Sequence, residues 1–447
     1  MLKHFLLFAL ALLCFSSCIS DDQLTEDALL ESNLRDLIKS RSVNNDLSYY
    51  IMPSSTDFDN IPQDPNNPLN PYKVALGKLL FHETAFTFDN RYQNSAQTYS
   101  CASCHHAGAG FQSGNAQGIG DGGLGFGING EGRMADLSMD LRHLDVQAIR
   151  SPSILNLAFQ ENLLWNGKLG SGGANAGYVD QWDSDTGAQK NKEGYEGLET
   201  QAIAGIGVHR MGFDEASIIE YNYKEDFDNA FPDLEDSIKY SNEGAALAIA
   251  AYERTVFANK APFQDWLKGN EHAMSTVEKR GAMLFFGKAG CYSCHNGPSL
   301  ALMDYAALGL NDLKESNPFF IPPIDSLPLG RGFFTKNSED YYRFKIPQLY
   351  NLKDNPFYGH GSSINSLIEM IEYKNLAIPE NSSVPEERLD DRFVPLGLTE
   401  EEVVTLTIFI QNSLYDPNLD RYVPDYTNSL GCFPNNDPVS QQDLNCF

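Results

Sequence analysis

The sequence predicts an all-α protein organised around two copies of one short motif. Apolar residues recur at helical spacing in several segments, whereas the alternating pattern that is typical of strands is scarce. The pentapeptides "CASCH" (101–105) and "CYSCH" (291–295) share the spacing Cys-x-x-Cys-His. Because the motifs lie far apart and each follows a helical pattern, we expect two helical units with one motif each.

Four segments carry the clearest helical pattern. They are 70–86, 244–260, 275–290 and 398–416. The third is predicted to begin with a capping box of Ser275 and Glu278, and the fourth with one of Thr399 and Glu402. Gly287 is predicted to end the third helix just before the second motif.

Two glycine-rich stretches are predicted to form long loops. Residues 107–132 and 167–180 hold too many glycines for a regular helix or strand, because glycine loses the most backbone freedom on folding. Neither stretch stands at a strand-to-helix junction, so a phosphate-binding loop is disfavoured. We expect both loops to lie over the first motif.

The N-terminus predicts an export signal of the lipoprotein type. Residues 1–17 combine a short basic start with an apolar run that is too short to span a bilayer, and Cys18 follows two serines. A plain secretory signal cut nearby is the alternative. A further run of ~18 apolar residues is absent from the sequence downstream. The mature protein is therefore expected in the periplasm or on the outer membrane, held to a membrane only by a lipid on Cys18. Residues 18–69 are expected to be a tether and extension, flexible over the acidic stretch 20–27.

The composition limits the classes of partner. About 430 residues remain after signal cleavage, which is enough for two or three domains with packed cores. The net charge of −28 argues against nucleic acid and anionic lipid as partners. It suits a small basic electron-donor protein, although solubility alone also explains it.

The eight cysteines need individual assignments, because thiols of exported proteins usually end up bonded. Cys14 leaves with the signal peptide and Cys18 is assigned to the lipid. Four more cysteines belong to the two motifs. The remaining pair, Cys432 and Cys446, is predicted to form a disulfide that holds the C-terminal tail, 417–447.

The spacing Cys-x-x-Cys-His is the attachment signature of c-type haem. The two thiols bond to the vinyl groups of the porphyrin, and the adjacent histidine becomes an axial ligand of the iron. A zinc knuckle or a redox-active cysteine pair is disfavoured, because the former would leave both histidines unused and the latter needs a βαβ setting. Two covalently bound haem c groups are therefore predicted, one held by Cys101, Cys104 and His105 and the other by Cys291, Cys294 and His295.

Further short segments accompany the motifs in a fixed order. They are "LGKLLF" (76–81), "RSPSILNLAF" (150–159), "LLWNGK" (163–168), "LETQA" (198–202), "AYERTVFANKAPFQDWLKG" (251–269), "FKIPQLYNL" (344–352), "FYGHGSSINSL" (357–367) and "PLGLTEEEV" (395–403). From about residue 70 to about 416, the series resembles bacterial di-haem cytochrome c peroxidases and their MauG-type relatives. The resemblance implies two all-α cytochrome c-like domains, 70–240 with the peroxidatic haem and 241–416 with an electron-transfer haem.

The resemblance also implies residues of the first site. A tryptophan lies between the haems in this family, and its match is Trp165. A glutamine of the distal pocket matches Gln201. The family's distal glutamate has no carboxylate match, and His209 and Arg210 stand in its place, where they are predicted to move a proton and to stabilise charge. The alternatives are that His209 ligates iron or that Arg210 forms a structural ion pair.

Many resting peroxidases of the family cap the first haem with a loop histidine, and this chain has Asp121 at that distance from the motif. The resemblance therefore implies a first haem that is open to peroxide without reductive activation, unless His106, His143 or His209 reaches it.

The distal ligand of the second haem is methionine or tyrosine in the family. The matching position is Lys374, with Met370 and Tyr373 within a turn of it, and only one of the three can face the iron. His360 is expected either near this haem or in the packed core. Arg150 replaces an asparagine of the family's calcium site, so calcium stays an alternative that the sequence disfavours.

The function that the resemblance implies is reduction of hydrogen peroxide to water with electrons from a small cytochrome c or cupredoxin. The alternatives are a MauG-like oxidase that acts on a partner or organic substrate and a non-enzymatic electron-transfer cytochrome. Homodimers occur in the family, but these residues do not predict one.

Overall fold

The protein is described as a computed structural model over residues 21–87, 90–91, 93–185, 187–317, 321 and 330–446. The predicted signal peptide and Cys18 lie outside the described residues. Within those ranges, no helix combines the length and the apolar composition that crossing a membrane requires. The side chains of residues 21–25 and 184 are likewise outside the description.

Helices joined by long loops make up the described chain, with two short two-stranded ribbons. The helices are α1 (Asp21–Arg41), α2 (Pro71–His82), α3 (Gly197–Val208), α4 (Glu215–Glu220), α5 (Lys224–Ala230), α6 (Asp236–Lys239), α7 (Asn242–Glu253), α8 (Pro262–Leu267), α9 (Thr276–Phe286), α10 (Leu313–Ser316), α11 (Arg331–Thr335), α12 (Leu367–Leu376), α13 (Glu400–Ile408) and α14 (Pro438–Asp443). The strands are β1 (Gly123–Leu124), β2 (Met134–Ala135), β3 (Tyr305–Ala306) and β4 (Phe344–Lys345), with β1 antiparallel to β2 and β3 to β4.

The first core forms where α2, α3 and α7 pack together. Gly77 of α2 lies so close to α7 that an added Cβ would stand 1.9 Å from the carbonyl oxygen of Ala248, so glycine is required at this crossing. The buried alanines of α7 continue this core as far as Val256. α7, which lies after the predicted domain boundary at residue 240, thus buries its apolar surface against helices that lie before that boundary.

α7 also ends earlier than the predicted 260. The N–H groups beyond the helix have partners elsewhere: Phe257 donates to the hydroxyl of Tyr422 at 3.0 Å and Ala258 to the side chain of Asn156 at 3.0 Å. These bonds replace the bonds that a longer helix would make, since each buried N–H must be satisfied.

The second core is formed by α8, α9, α12 and α13, and α1 packs on α9. Both predicted capping boxes are confirmed, at Ser275 with Glu278 and at Thr399 with Glu402. α9 ends at Phe286 as predicted, with Gly287 as its C-cap.

The N-terminal extension is not a loose tether over its described length. α1 begins at Asp21, and its residues Leu34 and Ile38 are fully buried in the second core. Trp266 donates from Nε1 to Glu31 of α1 at 3.0 Å. The expectation of a flexible acidic stretch at 20–27 is thus wrong for residues 21–27, because a helix with a buried face begins there.

The two domains meet through a pair of equivalent segments, 150–171 and 345–366. The N–H of Arg150 donates to the carbonyl of His360 at 2.9 Å, and the N–H of Lys345 donates to the carbonyl of Trp165 at 2.7 Å. Each segment also closes a small loop with an isolated bridge, Leu163 with Leu169 and Tyr358 with Ile364. The interface thus has an approximate two-fold relation, in which Trp165 and His360 occupy matching positions.

The glycine-rich stretch 107–132 is a loop, as predicted, apart from single turns and the ribbon of β1 and β2. The predicted disulfide between Cys432 and Cys446 is confirmed. Within the tail, the Asp443 carboxylate accepts the N–H groups of Phe126 and Gly127 at 2.9 and 2.8 Å. The tail therefore fastens the glycine-rich loop.

Breaking this disulfide should destabilise the tail and the loop together. The bond closes a loop with a sequence separation of 14, for which the lost chain entropy is about 3 kcal/mol. We expect Cys432→Ser combined with Cys446→Ser to lower the free energy of unfolding by about that amount in denaturant titrations. Faster amide exchange at 123–135 should accompany the loss, and unchanged exchange there would contradict the role given to the tail.

Candidate functional site

Each motif begins as a single turn of 3₁₀ helix that turns its thiols and its imidazole toward one side. The turns are Cys101–Ser103 and Cys291–Ser293. The N–H of His105 donates to the Cys101 carbonyl at 3.1 Å, and the N–H of His295 donates to the Cys291 carbonyl at 2.8 Å. All four motif cysteines are free of disulfides, so their thiols remain available to another group.

Both motif histidines are oriented by a main-chain carbonyl. Nδ1 of His105 lies 3.4 Å from the oxygen of Phe111, and Nδ1 of His295 lies 3.1 Å from the oxygen of Leu300. Phe111 and Leu300 both have positive φ, 56° and 49°, which non-glycine residues adopt at a cost on the order of 1 kcal/mol. The backbone strain thus lies at Phe111 and Leu300, the two residues whose carbonyl oxygens orient the motif imidazoles.

This orientation fits a haem c iron. A carbonyl that accepts from Nδ1 leaves Nε2 as the ligand atom and fixes the tautomer. Burial lowers the pKa of His105 to about 4 and that of His295 to about 4, so both rings are neutral near pH 7, as an iron ligand must be. With two free thiols beside each imidazole, the residues present match the group that the motifs predict.

The first site contains an imidazole and carboxylate pair opposite the motif histidine. Nδ1 of His209 lies 2.8 Å from the Asp145 carboxylate, which is 4% exposed, whereas the His209 side chain is 43% exposed. Its charge is one of the causes that lower the pKa of His105, so the two rings lie near enough to interact. Burial alone would lower the pKa of His209, but the Asp145 carboxylate outweighs it and raises that pKa.

Two other features fix the positions of Asp145 and His209. The loop that carries Asp145 pairs with the glycine-rich loop, where the N–H of Gly120 donates to the Asp145 carbonyl at 2.9 Å. An added Cβ at Gly120 would stand 2.2 Å from the Asp145 carboxylate, so glycine leaves the room that this carboxylate needs. Gln201, Gly205 and His209 follow one another at four-residue spacing along α3 and its C-cap, and therefore share one face.

Arg210 is placed differently from His209. Its guanidinium forms an ion pair with the fully buried Asp121 and donates to the carbonyl of His143 at 2.8 Å. The Asp121 carboxylate also accepts the N–H of Arg91 at 2.8 Å. The two positions at which the sequence departs from the family, Asp121 and Arg210, are thus in contact, and the geometry favours the structural alternative for Arg210.

Removing the Arg210 side chain should reduce stability strongly. Arg210→Ala would leave the buried Asp121 carboxylate without its counter-ion, and we expect a loss of about 3 kcal/mol in the free energy of unfolding. Lys192→Ala is the matched control, because the exposed pair of Lys192 and Asp183 should contribute less than about 1 kcal/mol. Equal losses in both variants would refute the structural role of Arg210.

The other histidines of the first domain have contacts elsewhere. The His106 ring packs edge-on against Phe126, with 4.8 Å between ring centroids. His143 contributes its carbonyl to Arg210. These two contacts lie on the glycine-rich loop and on Arg210.

In the second site, Lys374 is directed toward the motif. Its charge acts on Cys291, Cys294 and His295, and burial lowers its pKa to about 8. The Tyr373 hydroxyl donates instead to the Leu308 carbonyl, and its ring packs on Phe393.

Met370, the third candidate ligand, packs against the second core. The hydroxyl of Tyr373 is already bonded, whereas the Lys374 charge acts on all three motif residues, which favours Lys374 among the three.

Trp165 lies on the interface between the domains. Its Nε1 donates to the Arg150 carbonyl at 2.8 Å, and its ring centroid lies 6.3 Å from that of His360. His360 stacks on Phe344 at 3.6 Å and bonds through Nε2 to Asp312 at 3.0 Å. His360 is therefore the packed histidine of the two alternatives.

Sequence reasoning gave no role to Asp145, which stands in no motif, or to Lys345, although Lys345 lies in the segment "FKIPQLYNL". It matched Arg150 to an asparagine of the family's calcium site and therefore disfavoured calcium, and the structure shows that side chain buried with carbonyl and amide oxygens around it. Groups of three or more His, Cys, Asp or Glu side chains that could hold a metal ion were not found in the described part of the chain.

Comparisons with known proteins agree with this geometry. A family model described as di-haem cytochrome c peroxidase matches residues 71–272. Cytochrome-c peroxidase IdrP1 of Denitromonas iodatirespirans is 29% identical over 78% of this chain and 84% of its own. The methylamine utilization protein MauG of Methylorubrum extorquens is 28% identical over 80% of this chain and 83% of its own.

A solved structure shares the fold. The crystal structure of a MauG-like protein associated with microbial copper homeostasis superposes with a TM-score of 0.57 at 20% identity, over 84% of this chain and 98% of that one. The family model over residues 71–272, the curated relatives and the fold therefore agree that the chain resembles the di-haem cytochrome c peroxidase and MauG family of oxidoreductases.

Proposed function

We propose that the protein reduces hydrogen peroxide to water with electrons from a small donor protein, of cytochrome c or cupredoxin type. One haem c would be held by Cys101, Cys104 and His105, and a second by Cys291, Cys294 and His295. The observation that carries the proposal is the pair of His209 and Asp145, which faces the first motif with one ring nitrogen uncommitted.

A haem c in each domain supplies iron for binding peroxide and for relaying electrons. His209 is the residue that transfers the proton. Because Asp145 holds Nδ1, Nε2 is the nitrogen that takes a proton from the peroxide oxygen nearest the first site and returns it to the departing oxygen. With two electrons and two protons supplied, one peroxide yields two waters.

Gln201 assists at the same site. It lies on the face of α3 that ends at His209, and its amide can donate a hydrogen bond to the departing oxygen. Gly205, between them, leaves the space that peroxide needs, since an added Cβ there would meet only the Gln201 amide, at 3.3 Å.

The asymmetry of the two sites favours an enzyme over an electron carrier. Asp121 is held by Arg210 in the first domain, so it is not available as an iron ligand, and we assign Nε2 of His209 to proton transfer instead of ligation. In the second domain, the Lys374 charge acts on His295, and Lys374 would supply the second axial ligand there. The first haem would then be open to peroxide and the second closed, with Trp165 between them on the path for electrons.

The second candidate is a MauG-like oxidase that acts on a partner or organic substrate. It is favoured by the 28% identity with MauG and by Trp165, which spans the two domains through its contacts with Arg150 and Lys345. The peroxidase and the oxidase would use the same two sites. They differ in the source of electrons, which is a donor protein for the peroxidase and the oxidised substrate for the oxidase.

We further propose export to the periplasm, with an anchor at Cys18. The acidic net charge of −28 supports a basic donor protein as the partner.

Mass spectrometry and the optical spectrum of the mature protein test this proposal. We expect two covalent haems, reduced to one when Cys101 and Cys104 or Cys291 and Cys294 are both replaced by Ala. The oxidised spectrum should show one five-coordinate high-spin and one low-spin haem. Two low-spin haems would contradict the peroxidase proposal and indicate an electron carrier.

A further inference from the structure

Two buried cations occupy equivalent positions at the interface between the domains. Arg150 is 1% exposed and Lys345 is 9% exposed. Each precedes by two residues a proline, Pro152 or Pro347, whose main chain interacts with a motif histidine and raises its pKa. The cations therefore stand on the segments that border the two motif histidines.

Their side chains cross the interface in opposite directions. Nη2 of Arg150 donates to the side-chain oxygen of Asn355 at 2.5 Å, and Nζ of Lys345 donates to that of Gln160. Asn355 and Gln160 hold equivalent places in the segments 345–366 and 150–171. Main-chain and side-chain bonds thus follow the same approximate two-fold relation.

Neither cation has a carboxylate partner among the described residues. Arg150 otherwise donates to the carbonyls of Asn115 and Ser113 at 3.1 and 2.9 Å, and its Nε has no partner. Burial alone lowers the pKa of Lys345 to about 7, and no acidic group opposes it. A guanidinium stays charged when buried, so the interface carries positive charge that the described chain does not neutralise.

Buried charges are paired or hydrogen-bonded to an anion in stable proteins. A haem c carries two propionate carboxylates, and two haems are expected within this pair of domains. We propose that Arg150 and Lys345 bind propionate carboxylates of the two haems at the domain interface, so that the chain itself supplies the positive charge there. The inference rests on the proposed function, because it requires both haems to be present.

The consequence is electrostatic. A cation beside a haem carboxylate would favour the reduced haem, whose iron carries one positive charge fewer than that of the oxidised haem. The two side chains would therefore raise the reduction potentials and would supply the positive charge at the interface without a bound divalent cation.

Spectroelectrochemical titration of the holoprotein at fixed pH tests the inference. Haem content by mass is measured first, so that loss of haem, which would refute the proposed function, is separated from failure of this inference. The variants are Arg150→Gln and Lys345→Met, with Arg150→Lys and Lys345→Arg as charge-keeping partners. Lys345→Gln replaces Lys345→Met if the latter does not accumulate. Lys73→Met is the control, because Lys73 is also buried but bonds to Asn67 and the Pro68 carbonyl.

We expect each charge-removing variant to lower the potential of at least one haem, by more than the control does, and each charge-keeping variant to restore it. The wild-type potentials should not change with a calcium chelator. Unchanged potentials in both charge-removing variants, with both haems present, would overturn the inference. Calcium bound in stoichiometric amount, whose removal lowers the potentials, would overturn it as well.

Discussion

Replacing His209 by Ala is expected to lower peroxide turnover about 10²-fold or more, because the proton transfer between the peroxide oxygens would lose its base and acid. The two haems and the fold should be unaffected, since the side chain is 43% exposed. Steady-state oxidation of a reduced donor protein measures the rate. Gln201→Ala, which removes a hydrogen bond and no proton carrier, should cost less than His209→Ala. An unchanged rate in His209→Ala would remove this residue from the mechanism.

The pH dependence of activity tests the pair of His209 and Asp145 independently. His209 must be neutral to accept a proton, so activity should fall as the pH drops through its raised pKa. The charged neighbours are Asp145, which raises this pKa, and Arg210, which lowers it. Asp145→Asn removes the larger favourable charge while keeping an oxygen that can accept from Nδ1. We therefore expect the acid limb of the profile to move to lower pH. A profile that does not move would show that another group limits the rate.

Replacing Lys374 by Met should raise the reduction potential of the second haem. An amine ligand favours the oxidised iron, whereas a thioether ligand favours the reduced iron. The expected increase in potential is a part of the roughly 0.8 V range that axial ligands produce in haem proteins. Spectroelectrochemistry measures the shift, and the sulfur-to-iron charge-transfer band in the far red should appear in the oxidised protein.

Met370→Leu is the matched control for this exchange. Met370 lies one turn from Lys374 and packs against the second core, so its replacement should leave the potential and the spectrum unchanged. A low-spin spectrum that survives Lys374→Ala but is lost in Met370→Leu would contradict the assignment and make methionine the ligand.

The features that sequence alone predicted are the local ones. The capping boxes at Ser275 and Thr399 depend on residues three positions away, and the haem motifs on residues four positions away. The disulfide followed from the two cysteines that remained. Short-range chemistry of this kind is independent of how the chain packs.

The site residues that sequence did not predict depend on long-range contacts. Asp145 lies 64 residues before His209, and Asp121 lies 89 residues before Arg210. The choice among Lys374, Met370 and Tyr373 depended on a carbonyl far from the helix, since Leu308 binds the Tyr373 hydroxyl. No periodicity or motif in the sequence marks such partners.

The packing of α7 depends on long-range contacts as well. α7 is an alanine-rich helix whose sequence does not show which core it joins, and its close approach to Gly77 places it against α2. The acidic composition of residues 20–27 favoured a flexible tether, but the buried Leu34 and Ile38 show that packing of the later turns of α1 determines the helix.

The most direct test of the account mixes fully oxidised holoprotein with hydrogen peroxide in a stopped-flow spectrophotometer and then adds a reduced donor cytochrome. The account predicts a rapid change in the haem spectrum without prior reduction, because Asp121 and His209 leave the first iron open. It also predicts oxidation of two donor molecules for each peroxide consumed. A protein that responds only after partial reduction, or that consumes peroxide without oxidising the donor, would contradict it.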